Sequence, residues 1–73
     1  MRIINLVQTC PACPSQWDAQ TEDGQYVYIR YRWDTLTVSI DEQPYLHKDA
    51  VYDDPLRGVM STEEMLQYTG LEM

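Results

Sequence analysis

Apolar and polar residues alternate most clearly in the middle of the chain. From Tyr26 to Trp33 almost every residue is aromatic or β-branched, and segment 36–40 alternates apolar and hydroxylated side chains. Both patterns are typical of β-strands. They predict two antiparallel strands joined by a tight turn at Asp34 and Thr35, or by a wider loop because Thr disfavours positive φ. The expected core pairs are Trp33 with Leu36, Tyr31 with Val38 and Ile29 with Ile40.

The hairpin that precedes these strands has two competing registers. A two-residue turn at Asp23 and Gly24 would place Trp17 on the face opposite Ile29, whereas a three-residue loop over 22–24, with Gly24 left-handed, places Trp17 in the core. Burial of the large indole favours the second register. The sequence therefore predicts a meander from about residue 17 to residue 42.

The C-terminal segment carries several independent helix signals. Ser61 and Glu64 form a capping box, and Gly70 supplies a left-handed stop, so a helix is expected over Thr62–Thr69. Its apolar side, which includes Met65, Leu66 and Tyr68, should cover the open face of the meander.

The sequence thus predicts one small α+β domain over residues 1–73. Its core is a three-stranded antiparallel meander, packed by the short C-terminal helix, and residues 3–7 are a candidate fourth strand that pairs with the meander or with another copy. Segment 43–58 shows neither helical nor strand periodicity and is expected to be an irregular acidic loop. A domain of this size buries little surface, which raises the prospect of a homodimer.

The face of the central strand that points away from the core carries the candidate partner-binding residues Tyr26, Tyr28, Arg30 and Arg32. Tyr and Arg recur as binding hot spots because each offers a large, stiff, amphipathic surface. The alternative is an ordinary solvated sheet face in which arginine stems cover tyrosine rings. A protein partner is the prediction taken forward.

Charge narrows the classes of partner. Twelve acidic residues against five basic ones give a net charge of −7, which disfavours direct binding of nucleic acid or of anionic membranes. No segment approaches the length of a membrane span, and the apolar start of the chain is too short for a signal peptide, so a cytoplasmic location is expected. The same acidity admits an alternative function as a DNA mimic that occupies a nucleic-acid-binding protein.

Cys10 and Cys13 form the one motif with metal or redox spacing. A zinc site would need two more ligands, and the candidates are His47, the sole histidine, and an acid such as Asp49. A redox dithiol would need a helix start after a strand, which Pro14 opposes. Two ordinary reduced cysteines and no cofactor are the expectation.

Enzymatic activity is not expected from this sequence. It has no glycine-rich phosphate loop and no Ser, His and acid in a recognisable pattern, and a catalytic pocket is difficult to build in so short a chain.

Two runs carry a resemblance to a known group of proteins. The run Cys-Pro-Ser-Gln-Trp-Asp-Ala over 13–19 and the run Asp-Gly-Gln-Tyr-Val-Tyr-Ile-Arg-Tyr-Arg-Trp over 23–33 resemble uncharacterised short proteins encoded by bacteriophages and actinobacteria. The resemblance implies no activity and suggests a phage or mobile-element setting. The leading hypothesis is a non-catalytic module that binds a host or phage protein, and the alternatives are a DNA mimic and a zinc-binding module.

Overall fold

A single antiparallel meander dominates the computed structural model, which describes residues 1–12 and 14–73 and contains five strands and one helix. The strands follow one another in the sheet in chain order. They are β1 (Ile3–Cys10), β2 (Ser15–Thr21), β3 (Tyr26–Arg32), β4 (Thr35–Ile40) and β5 (Gln43–Lys48), and the helix is α1 (Thr62–Thr69). The α+β class is confirmed, and the sheet has two more strands than the three-stranded core that the sequence predicts.

The hairpin between β2 and β3 has the predicted three-residue loop. Gly24 is left-handed with φ 87°, its N–H donates to the carbonyl oxygen of Thr21, and Trp17 pairs with Ile29 across the strands. Trp17 is completely buried. The register chosen to bury the indole is therefore confirmed.

The turn between β3 and β4 lies one residue earlier than predicted. Its two central residues are Trp33 and Asp34, with φ of 54° and 57°, which is the pattern of a type I′ turn. The core pairs are consequently Tyr31 with Leu36, Ile29 with Val38 and Val27 with Ile40, so the predicted pairs are wrong. The partner of each β3 residue moves by two positions, which keeps the side chains of β3 and β4 on their predicted faces. Trp33 is the exception, because it lies in the turn and outside the core.

Two edge strands complete the sheet. β1 pairs with β2, which confirms the candidate fourth strand, whereas pairing with another copy stays a prediction. Residues 43–48 form β5 on the opposite edge, so the expected irregular loop over 43–58 is wrong for its first six residues. Their side chains are almost all exposed and a bulge interrupts the pairing, so β5 lacks the alternation that marks a half-buried strand.

The helix has the predicted bounds and caps. The Ser61 hydroxyl accepts a hydrogen bond from the N–H of Glu64, the Glu64 carboxylate accepts one from the N–H of Ser61, and Gly70 ends the helix with φ 75°. Met65 is fully buried in the same apolar cluster as the inner face of the sheet, and the indole N–H of Trp17 donates to the Thr62 hydroxyl at 3.0 Å. The helix therefore covers the core face, as expected.

The core lies between the inner sheet face and the chain from residue 51 onward. Its buried apolar members are Ile3, Trp17, Ala19, Val27, Ile29, Tyr31, Leu36, Val38, Met60, Met65 and Leu71. Within the described ranges, no helix is both long enough and apolar enough to span a lipid bilayer.

Candidate partner-binding face

The outer side of β3 carries the four residues that the sequence singled out. Ile29 and Tyr31 point into the core, so Tyr26, Tyr28, Arg30 and Arg32 point the other way. Tyr26 and Arg32 are exposed, and Tyr28 and Arg30 are half-buried between the neighbouring strands. We call these four residues the Tyr/Arg face.

The tyrosine end of the Tyr/Arg face is a pair of neighbouring rings. The rings of Tyr26 and Tyr28 lie with centroids 6.5 Å apart and planes inclined by 27°. The Tyr26 hydroxyl donates to the Asp18 carboxylate at 2.7 Å. This hydrogen bond, followed by partial burial, raises the pKa of Tyr26 from 10.0 to about 12. The ring is thereby held in one orientation and stays neutral at physiological pH.

The arginine end of the Tyr/Arg face borders a shallow pocket. The pocket has a volume of about 300 Å³ and is lined by Arg30, Arg32, Trp33, Thr35 and Thr37. The guanidinium carbon of Arg32 lies 5.3 Å from the centre of the Trp33 ring, within the range of a cation–π contact. Among the described residues, the shielded Nε of Arg30 has no hydrogen-bond acceptor.

Neither arginine of this face is neutralised by an acid within the described part of the chain. The two ion pairs found there join His47 to Asp49 and Arg57 to Glu64. In a chain with a net charge of −7, Arg30 and Arg32 therefore form a small basic island on an otherwise acidic molecule.

Trp33 belongs to this site, so the prediction that it lies in the core is wrong. It is 62% exposed and stands at the first central position of the β3–β4 turn. A signal for this position exists in the sequence, because Asp tolerates a left-handed backbone and β-branched Thr does not. That preference favours a turn at Trp33 and Asp34 over one at Asp34 and Thr35.

The carboxylate of Asp34 anchors the turn from below. Asp34 is only 2% exposed and accepts hydrogen bonds from the Tyr31 hydroxyl at 2.7 Å, the Tyr52 N–H at 2.9 Å and the Asp54 N–H at 2.8 Å. Burial alone would raise the pKa of this carboxyl, but these hydrogen bonds and the nearby Arg57 outweigh it and lower the pKa. The anchor holds Trp33 at the rim of the pocket.

Cys10 and His47, the two candidate metal ligands that the structure describes, lie on different strands. Cys10 ends β1 and His47 lies on β5, at opposite edges of the sheet. They are separated by four interstrand steps of about 4.8 Å each, roughly 19 Å in all. One zinc ion binds its ligands at about 2.0 to 2.3 Å, so this arrangement of the two strands does not favour a site that uses both residues, and the zinc site stays a prediction. Cys13 lies outside the described residues.

His47 has a different environment from the one a metal site requires. Its Nε2 lies 3.1 Å from Oδ1 of Asp49, and Asp49 also accepts from the Thr35 hydroxyl at 2.9 Å. These hydrogen bonds lower the pKa of Asp49, that from Thr35 most. Over residues 1–12 and 14–73, no three His, Cys, Asp or Glu side chains are grouped as metal ligands.

The comparisons with other proteins are negative. No protein-family model matches this chain, and neither a curated protein nor a solved structure matches it.

Proposed function

We propose that this protein is a non-catalytic binding module that docks a partner protein on the Tyr/Arg face and the adjoining Trp33. The observation that carries the proposal is the combination at one place of two arginines outside the described ion pairs, two tyrosine rings and an exposed tryptophan. Trp, Tyr and Arg are the residues most enriched among binding hot spots.

Rigidity supports the same proposal. The Tyr/Arg face lies on the central strand, which is hydrogen-bonded on both sides, and Tyr26 is further held by Asp18. A side chain that is already ordered loses little entropy when a partner covers it. The face is therefore prepared for binding before the partner arrives.

The cellular setting belongs to the proposal as well. The partner is a host or phage protein, and binding takes place in the cytoplasm.

Affinity capture from an actinobacterial cell extract tests the proposal. The double variant Arg30→Glu with Arg32→Glu should retain its fold, since both side chains point away from the core, and should fail to capture the protein that the parent captures. The matched control is Arg2→Glu with Lys48→Glu, which changes the net charge equally away from the face. Equal capture by the parent and the Arg30, Arg32 variant would refute the proposal.

A second candidate function, mimicry of DNA, is favoured by one observation. The loop between β2 and β3 and the turn between β4 and β5 lie at the same end of the sheet, where Asp41 bonds to the backbone of Tyr26. Acids of these two turns, among them Asp23 and Glu42, therefore lie at one end of the sheet. If the protein is a DNA mimic, capture should be abolished in the triple variant Glu22→Gln, Asp23→Asn and Glu42→Gln. If the Tyr/Arg face is the binding site, the same variant should capture the partner as well as the parent does.

Self-association through β1 is a separate prediction from the sequence. Ile4 and Val7 on this edge strand are 40% and 58% exposed. Light scattering of the purified protein distinguishes a monomer from a dimer. Replacing Val7 with Lys should convert a β1-mediated dimer to a monomer, because a charge on an edge strand opposes pairing.

A further inference from the structure

The pocket at the arginine end of the Tyr/Arg face has the chemistry of a carboxylate-binding site. It is lined by two arginines, two threonines and Trp33, and the Thr35 hydroxyl already donates to the Asp49 carboxylate. Guanidinium groups bind carboxylates through paired, charge-assisted hydrogen bonds, and these are stronger than neutral ones.

Arg30 supplies the most specific observation. Its Nε is shielded from solvent and lacks an acceptor among the residues that the structure describes. A shielded donor without an acceptor is unfavourable, and a ligand oxygen removes that penalty once the Arg30 side chain turns its Nε toward the pocket. The Nε and one terminal nitrogen of a guanidinium together match the two oxygens of a carboxylate.

The spacing of the two arginines adds a second constraint. Arg30 and Arg32 are two residues apart on one strand, so their Cα atoms are separated by roughly 6.7 Å. Carboxylates two residues apart on an extended peptide have the same spacing. The site therefore suits an extended segment in which acidic residues alternate with others.

From these observations we infer that the Arg30, Arg32 and Trp33 pocket binds an extended acidic segment of the partner protein, with one carboxylate on each arginine. This inference rests on the proposed function and names the partner's chemistry at the same face. Charge complementarity selects it over a nucleic acid. The other basic residues are Arg2, Lys48 beside the Tyr68 carbonyl and Arg57, which is paired with Glu64. A nucleic acid would therefore find few basic side chains for its phosphates, and the net charge of −7 would repel it.

The test is a titration followed by NMR on the full chain. The probes are the blocked peptide acetyl-Glu-Thr-Glu-amide and its neutral counterpart acetyl-Gln-Thr-Gln-amide, and the signals are the Nε–H resonances of Arg30 and Arg32 and the indole N–H of Trp33. We expect the acidic peptide to shift all three signals and to bind at least about tenfold more tightly than the neutral peptide. Its affinity should fall as salt is added.

Two variants locate the binding. Arg30→Gln with Arg32→Gln should reduce the affinity for the acidic peptide about tenfold or more, whereas Arg2→Gln with Lys48→Gln, of equal net charge, should not. Arg32→Gln alone, at an exposed position, gives the same direction of effect if the double variant does not fold. Equal loss in the control pair would attribute binding to overall charge and overturn the inference.

Other outcomes separate this inference from the proposed function. No shift, or equal shifts with both peptides, overturns the acidic-segment inference. The proposal that the Tyr/Arg face docks a partner is tested separately, by affinity capture with the Arg30→Glu and Arg32→Glu double variant. Tighter binding of octathymidylate than of the acidic peptide would overturn it in favour of a nucleic acid.

Discussion

Trp33 combines an unfavourable backbone conformation with an exposed position at the proposed site. Its φ of 54° lies in the left-handed region, which costs a residue with a Cβ roughly 1 to 2 kcal/mol. Such strain is common where a side chain is held for binding. Trp33→Asn should relieve it, because Asn adopts this conformation readily and is favoured in type I′ turns.

The size of the effect follows from two opposing contributions. The substitution also removes the contact between Arg32 and the indole, and a cation–π contact at an exposed site contributes about 0.5 to 1 kcal/mol. The net gain in the free energy of unfolding therefore lies between about 0 and 1.5 kcal/mol, with a midpoint of about 0.75 kcal/mol. For a domain of this length, the midpoint value raises the temperature of half-unfolding by roughly 3 to 6 °C.

Trp33→Leu is the matched control, since it removes the indole and keeps a side chain that disfavours positive φ. Thermal and urea unfolding of the two variants and the parent should rank Trp33→Asn as the most stable and Trp33→Leu at or below the parent. Both variants should bind the captured partner more weakly, by roughly 2 kcal/mol or about thirtyfold, if Trp33 is a hot spot. A Trp33→Asn variant no more stable than Trp33→Leu would refute the reasoning about strain.

Further predictions concern the anchor of the turn, the helix cap and two ionisable groups. Asp34→Ala removes an acceptor of three hydrogen bonds and should lower the free energy of unfolding by about 3 to 5 kcal/mol in urea titrations; a loss below about 1 kcal/mol would show that the carboxylate is not an anchor. Ser61→Ala should cost about 1 kcal/mol in the same assay, through loss of the N-cap, and an unchanged urea midpoint would contradict this. The pKa of Asp34 is lowered from 3.8, because the hydrogen bonds that it accepts outweigh the effect of its burial. The pKa of Glu64 is lowered from 4.5, chiefly by the hydrogen bond from the Tyr52 hydroxyl. Both carboxylates therefore stabilise the fold at a pH above their ordinary pKa values, and this stabilisation is lost as the pH falls below those values. In Asp34→Asn the urea midpoint should decline less steeply as the pH is lowered. Ultraviolet titration should show the Tyr26 pKa returning from about 12 toward 10.0 in Asp18→Asn, and a value that stays near 12 would exclude the hydrogen bond as its cause.

Strand parity could be predicted from the sequence, because a side chain's face depends only on whether its position is odd or even within a strand. Large apolar residues such as Ile29 and Val38 determine that parity, so the Tyr/Arg face was identified correctly as the outer one. The exact register was harder. A shift of two residues leaves the faces unchanged, and hydrophobicity alone cannot distinguish the two alignments.

The features that were missed depend on contacts distant in sequence. Asp34 is a buried anchor only because Tyr52 and Asp54 return to it from the segment after β5. β5 itself is an edge strand with mostly exposed side chains, so its pairing with β4 stabilises a segment that has no strand pattern of its own. Trp33 resembles a core residue because its side chain is large and apolar. Only the register between β3 and β4 shows that it lies in the turn and is exposed.

Oxidation of side chains by hydroxyl radicals, with and without the captured partner, tests the central claim most directly. Tyr26 and Trp33 are 43% and 62% exposed, and Met73, remote from the Tyr/Arg face in sequence, is 62% exposed and serves as the internal reference. We expect the partner to slow oxidation of Tyr26 and Trp33 severalfold and to leave Met73 unchanged. Oxidation of Tyr26 and Trp33 at the same rate in the complex as in the isolated protein would show that the partner binds elsewhere.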